Sequence, residues 1–221
     1  MSLKKGRPII LISESNEPLM EFNHQEMIYL LKIHGAIVFR NFKIELHEFS
    51  NLIAKHSSRV TCDPARKPSV ENAQLIDAGT DAMGLHIENG TMPFVPDVQW
   101  FYCEQAPVSG SQTILCDGIE VWKYLSETTK SLFMKKRIKY SRNIPELLWK
   151  KYLSVELGIE YEQVNETHLK AVNRMIEGQK FTLNKDHSVY VERKTFAIKK
   201  IEYLEQFAFA NSILGPSFNY E

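Results

Sequence analysis

The stretch GLHIENGTMPFVPDVQWFYCEQAPVSGSQTILCDG, residues 84–118, decides how the rest of the chain is read. It places His86 and Glu88 two residues apart. In extended backbone, residues i and i+2 point to the same face, so an imidazole and a carboxylate stand side by side. These are two of the three protein ligands of a 2-His-1-carboxylate metal site, which leaves open positions on the ion. The residues that follow set the architecture. Pro93 and Pro96 force a loop. Residues 98–103, VQWFYC, have strong strand propensity. Residues 107–110 form a turn, 112–116 a further strand, and Asp117-Gly118 ends it. Short strands with tight connections are the pattern of a barrel or jelly roll.

Upstream, residues 8–13 read as a strand and residues 23–33 as a helix, with Met27, Leu30 and Leu31 at helical spacing. Asn23 caps this helix and Gly35 stops it. Residues 36–39 are a short buried strand. A second helix over 46–55 has Leu46, Phe49, Leu52 and Ile53 on one stripe. Residues 57–84 are loop-rich, with 72–76 as a strand candidate; such a long connection suits a lid or binding loop. Downstream, 119–136 reads as helix, 139–141 as strand, and 145–174 as interrupted helix. Residues 181–183 and 189–191 bracket a hairpin turn at 184–187.

The 221 residues suffice for one domain with a substantial core. Lys+Arg and Asp+Glu are both 27, so there is no basic excess of the kind a nucleic-acid binder shows. No segment approaches the ~18 consecutive apolar residues of a membrane span. Three cysteines without C-x-x-C spacing, Cys62, Cys103 and Cys116, argue for reduced thiols and a cytoplasmic location.

Residues 84–118 resemble the taurine-dioxygenase-like and clavaminate-synthase-like Fe(II)/2-oxoglutarate-dependent oxygenases, the TauD/TfdA type. The resemblance is carried by His86, Glu88, Pro93, Pro96, the Trp100-Phe101-Tyr102-Cys103 run, Pro107, Gly110, Thr113 and Asp117-Gly118. Gly110-Ser111 departs from the expected Gly-Gly. Residues 35–42 and the FAFANSIL segment, 207–214, are similar to other parts of the family pattern. The resemblance implies an α+β chain with a mainly β core, a double-stranded β-helix (jelly roll) with flanking helices. It implies a single oxygenase-like domain over 1–221, with the motif at 84–118 and a helical insertion at 119–174 covering the site's mouth. His86 and Glu88 would bind Fe(II), and Thr113 would hydrogen-bond the distal carboxylate of 2-oxoglutarate. O₂ would be the oxidant. The substrate would be a small molecule, amino-acid-like or a natural-product intermediate, with no nucleic acid, no membrane, and a homo-oligomer left open. Glu88 disfavours a halogenase, which would have a small residue there.

Asn89 reads either as a support for the ligands or as a turn residue. Trp100 and Tyr102 share a face opposite Phe101, and packing is their expected role. Arg59 and Arg66 are read as solvated loop charges rather than contacts to an anionic substrate. The triad needs a second histidine, followed in the family by an arginine for 2-oxoglutarate. No histidine follows His187 and no arginine follows Arg193. His187, in the 184–187 turn, is the weak candidate for the distal ligand, and His168 sits on a charged helix. Four readings result. The chain is an oxygenase whose C-terminal part is not in the sequence; it is a homologue without iron chemistry that acts in binding; a partner subunit supplies the missing ligand; or His86 and Glu88 serve a jelly-roll metal-dependent hydrolase or isomerase.

Overall fold

A computed structural model describes residues 7–76, 83–110 and 112–215. Strand β1 (Ile9–Ile12) pairs in parallel with β2 (Ile37–Arg40), and helix α1 (His24–His34) makes the crossover. Asn23 accepts from the Glu26 N–H at 3.0 Å, and Gly35 ends α1 with φ at +72°. Both features were expected from the residue types. Helix α2 (Leu46–His56) follows, with a reciprocal Glu45–Glu48 capping box and Phe49, Leu52 and Ile53 buried. The loop-rich region carries one small hairpin, β3 (Pro68–Val70) and β4 (Ala73–Gln74).

After the motif come α3 (Gly118–Tyr124), α4 (Glu127–Lys135), β5 (Arg137–Ile144), α5 (Glu146–Leu157) and α6 (Glu166–Met175). The expected helical insertion therefore contains an eight-residue strand, of which sequence reading caught only the centre. Strands β6 (Gln179–Leu183) and β7 (Val189–Phe196) form the expected hairpin, and β7 also pairs with β5 to give the order β5-β7-β6. A last hairpin joins β8 (Ile198–Ile201) to β9 (Gln206–Phe209).

The main core lies between one face of the β5-β7-β6 sheet and helices α5 and α6. Ile144, Val189 and Val191 on the sheet meet Trp149, Tyr152 and Leu153 of α5 and Leu169 and Val172 of α6. Met92, just past the His86–Glu88 pair, belongs to the same cluster. Burying such side chains contributes about 1.5–3 kcal/mol each, so the motif's C-terminal flank is fastened to the best-packed part of the molecule.

The chain is mixed α+β, as expected, but its sheets are small. Among the described residues there are sheets of two, two, three and two strands, and they do not form a complete double-stranded β-helix. Residues 84–88, 98–103 and 112–116, expected as strands, join no ladder. Aromatic and β-branched composition marks a segment as suited to a pleated sheet, but only a neighbouring strand supplies the hydrogen bonds. No described strand pairs with these segments to supply them. Ser111, in the departure from Gly-Gly, lies outside the described residues.

Candidate functional site

His86 and Glu88 lie in irregular backbone that runs into a turn over 88–91. The turn is closed by the Met92 N–H donating to the Asn89 carbonyl at 2.8 Å. Asn89 has φ at +51°, a left-handed conformation that asparagine tolerates better than most residues. Its side-chain amide donates to Thr61 Oγ1 and to the Cys62 carbonyl, each at 3.3 Å. Asn89 is thus both turn residue and tether.

Two glycines bracket the motif because the 211–215 segment runs against it. A Cβ on Gly84 would collide with the Leu214 carbonyl oxygen, and one on Gly90 with Ser212 Oγ. Ser212 Oγ donates to the Ile87 carbonyl at 3.1 Å, and the Ser212 N–H donates to Tyr140 Oη at 3.0 Å. The motif and the FAFANSIL-like segment are therefore one packed unit, hung from β5.

His86 is exposed, and its Nδ1 lies 2.8 Å from the Gly84 carbonyl. A carbonyl only accepts, so Nδ1 carries the proton and Nε2 presents its lone pair. A metal-ligating histidine needs this tautomer. Glu88 is half-buried, and its Oε1 lies 3.2 Å from Arg66 Nη1. Arg66 also reaches Asp63, at 3.6 Å. Among the described residues the ion pair to Glu88 is made through Oε1, which leaves Oε2 available to a cation. Among the described residues no group of three His, Cys, Asp or Glu side chains is gathered as a metal site.

Thr113 is exposed, in irregular backbone leading to the Asp117 cap of α3. Its neighbours Ile114, Leu115 and Cys116 line a cleft of about 620 Å³ that His86 also lines. His187 has φ at +64° in the β6–β7 turn, and its carbonyl accepts from Trp149 Nε1 at 2.9 Å. That turn is at the Ile144–Val189 end of the sheet, while the motif hangs near the Tyr140–Arg193 pair four residues away along β5 and β7. His168 Nδ1 accepts from the Asn165 N–H at 3.3 Å and so helps to cap α6.

Trp100 and Tyr102 pack against α2, Tyr102 with Phe49 at 5.2 Å between ring centroids and Trp100 with His56 at 6.1 Å, while Phe101 is exposed. The expected alternation of faces holds without a ladder. Arg59 is half in solvent as expected of a loop charge and Arg66 is mostly covered, but each has a carboxylate partner. Arg59 pairs with Glu156, whose side chain has no solvent exposure, and its guanidinium lies 4.1 Å from the Phe94 ring centroid. Thr61 Oγ1 donates to the other Glu156 oxygen. Lys151 donates to the Pro64 and Arg66 carbonyls, each at 3.2 Å. Helix α5 thereby grips the loop that carries Arg66 and, through Thr61, the Asn89 turn. Sequence reading missed this network. Its signal was Glu156 on the apolar stripe of Trp149, Tyr152 and Leu153, where a carboxylate needs a buried partner.

The same burial acts on neighbouring groups. It pushes the Cys62 thiol up to about 11, with Glu156 adding to the effect. Burial also raises Tyr152 above its ordinary range, with Glu156 adding to that shift as well.

Among curated proteins, the dapdiamide synthesis protein DdaC of Enterobacter agglomerans is 24% identical over 225 aligned residues, covering 90% of this chain and 68% of the relative. The model of the family described as "Taurine catabolism dioxygenase TauD, TfdA family" matches residues 14–208, a span that takes in the motif, the Arg59–Glu156 network and the β5-β7-β6 sheet. With most of its length inside that match, the chain belongs to the TauD/TfdA dioxygenase family.

Proposed function

We propose that the chain is an Fe(II)- and 2-oxoglutarate-dependent oxygenase that oxidises a small molecule, on a jelly-roll scaffold of which the described sheets are a part. One observation carries this reading. In a TauD/TfdA-family chain, His86 holds Nδ1 on the Gly84 carbonyl, which turns the Nε2 lone pair outward, two residues from a carboxylate that Arg66 holds by Oε1. His86 Nε2 and Glu88 Oε2 would hold the iron, and Thr113 would contact 2-oxoglutarate. When bound, iron and 2-oxoglutarate would supply the oxidation of a substrate C–H bond with O₂.

The chain's own residues prepare the ligands and the surroundings. The Gly84 carbonyl fixes the His86 tautomer. Arg66 fixes the Glu88 carboxylate by one oxygen, and Asp63 holds Arg66. The Glu156–Thr61–Asn89 chain holds the turn that sets the spacing between His86 and the core. The apolar walls beside His86 keep water from a bound substrate. Among the described residues no third His, Cys, Asp or Glu is gathered with His86 and Glu88 as a metal site.

Iron retention tests the proposal. After anaerobic loading and desalting, the protein is expected to retain about one Fe(II), and His86→Ala is expected to retain none. Equal retention by the variant would refute the assignment of His86. With 2-oxoglutarate and O₂ present, succinate is expected to form only in protein that retains iron.

A further inference from the structure

Two cations, Arg193 of β7 and Lys199 of β8, lack a counter-ion on the side of the sheet from which the motif hangs. We propose that they receive the carboxylate of the small molecule that the chain oxidises, so that the substrate is an organic acid or an amino acid held by its acid group. The anion site stands on the two cations. Only the further step, that its occupant is the molecule oxidised, rests on His86 and Glu88 holding the iron.

Register places the pair. Arg193 lies across from Tyr140 on β5 and from Gln179 on β6, and residues directly opposite in a sheet share a face. That face holds the motif. Tyr140 Oη accepts from the Ser212 N–H, and Ser212 Oγ donates to the Ile87 carbonyl, between His86 and Glu88. Lys199 follows Arg193 by six residues, and the two-residue period of extended chain brings it to the same side. Its register partner Ala208 lines the cleft that His86 also lines. The two cations therefore run from beneath the motif toward the wall of that cleft.

Arg193 is half-buried, and among the described residues it makes no ion pair and no hydrogen bond; its Nη1 is fully covered and unpartnered. A covered arginine is normally paired, because a desolvated charge without a partner is costly. Tyr152 and Tyr140, which act on Arg193, are kept neutral by burial. Gln179, whose Oε1 is also covered and unpartnered, is neutral as well, so a water shared with Arg193 would satisfy hydrogen bonds and leave the charge. Lys199 reaches solvent, yet partial burial of its ammonium lowers it below the ordinary lysine value; Asp97 opposes that shift and Arg193 adds to it. Among the described residues Asp97 is within ion-pair distance of neither cation. A carboxylate between Arg193 and Lys199 would balance both, and the guanidinium fork matches its two oxygens. The proposed contact of Thr113 with 2-oxoglutarate is separate, so the two acids have different partners.

Hexanoate and hexanamide are the matched probes, since they differ by the acid group. Each is titrated into ¹⁵N-labelled protein, without iron, and followed by amide shifts. Hexanoate is expected to shift Lys194, Ala197, Lys199 and Ala208 and to bind about tenfold more tightly than hexanamide. Arg193→Met/Lys199→Met is expected to bind both equally, and Arg193→Lys, which keeps the charge, to retain part of the preference. Equal affinity of the two probes for the unmodified protein, shifts confined to other regions, or a preference that survives the double variant would overturn the proposal. Arg193→Met should not lower the urea midpoint, because it removes a charge that no described residue balances; a lowered midpoint would give Arg193 to the fold and overturn its role in binding. A second arm separates the two acids. In iron-loaded anaerobic protein, the 2-oxoglutarate dissociation constant read from the visible band should be the same with and without the double substitution; a raised constant would give the cations to the co-substrate and overturn their assignment to the substrate. Absent iron retention with the hexanoate preference intact would overturn the metal assignment alone. Retained iron without the preference would overturn the carboxylate site alone.

Discussion

Arg59→Met is the substitution whose cost follows most directly from the structure. Glu156 has a fully buried side chain, and Arg59, 47% exposed, is its only cationic partner among the described residues. Removing one member of a buried pair typically costs about 3–5 kcal/mol, because the remaining charge has no compensation. Two features put this case at the low end. Arg59 is half in water, and Thr61 still donates to the Glu156 carboxylate. The expected loss is about 3 kcal/mol, a large share of a net stability of roughly 5–15 kcal/mol. Glu156→Gln should cost less, about 1–2 kcal/mol, since the amide keeps a hydrogen bond to Thr61 and Arg59 can turn outward to solvent. The double variant Arg59→Met/Glu156→Met removes the charges together and should lie within about 1 kcal/mol of the original chain. Urea unfolding followed by tryptophan fluorescence measures all three, with an unchanged m-value as the check that the compared states are the same. Amide exchange at Met92 reports the local effect, because Met92 closes the Asn89 turn that Thr61 tethers. A loss under about 1 kcal/mol for Arg59→Met, or a double variant as unstable as the two singles added, would refute the account.

Arg66→Met should weaken Fe(II) binding about tenfold, because the groups that orient a ligating carboxylate carry that much affinity; equal dissociation constants would remove Arg66 from the site. His56 is held below its ordinary value of 6.5 by burial and then by His24 and Lys55, and its Nδ1 lies 2.9 Å from that of His24. The folded state therefore binds fewer protons than the unfolded chain just below pH 6.5, so stability should fall as the pH drops through 6.5, with the loss complete below the folded value. His56→Gln should flatten that slope in urea titrations, and an unchanged slope would place its origin elsewhere. Exposed Cys103 and Cys116 should react quickly with a thiol reagent at pH 8, while half-buried Cys62, its thiol raised to about 11, should react markedly more slowly until the protein unfolds; equally fast reaction of all three would contradict the raised Cys62 thiol.

What the sequence made legible was local. Asn23 and Gly35 bound α1 because a capping side chain and a left-handed glycine act within one turn of the helix. The 184–187 turn announced its hairpin for the same reason. The 98–103 run misled because its aromatic residues suit a sheet as well as they suit a loop packed on α2, and only a partner strand separates the two outcomes. At the site, His86 and Glu88 were legible as a pair. Their supports were not, since Arg66 meets Glu88 and Ser212 meets the Ile87 carbonyl across long sequence separations that leave no periodic trace. Glu156 is the instructive exception. A carboxylate at the i+7 position of the α5 stripe begun by Trp149 foretells a buried partner, though not that the partner is Arg59.

The central claim is that His86 and Glu88 hold an iron to which 2-oxoglutarate also binds. An anaerobic titration of the protein with Fe(II) and then 2-oxoglutarate, read by visible absorption, tests it directly. The account predicts a weak visible charge-transfer band that saturates near one equivalent and is lost in His86→Ala. No band, together with no retained iron, would contradict it.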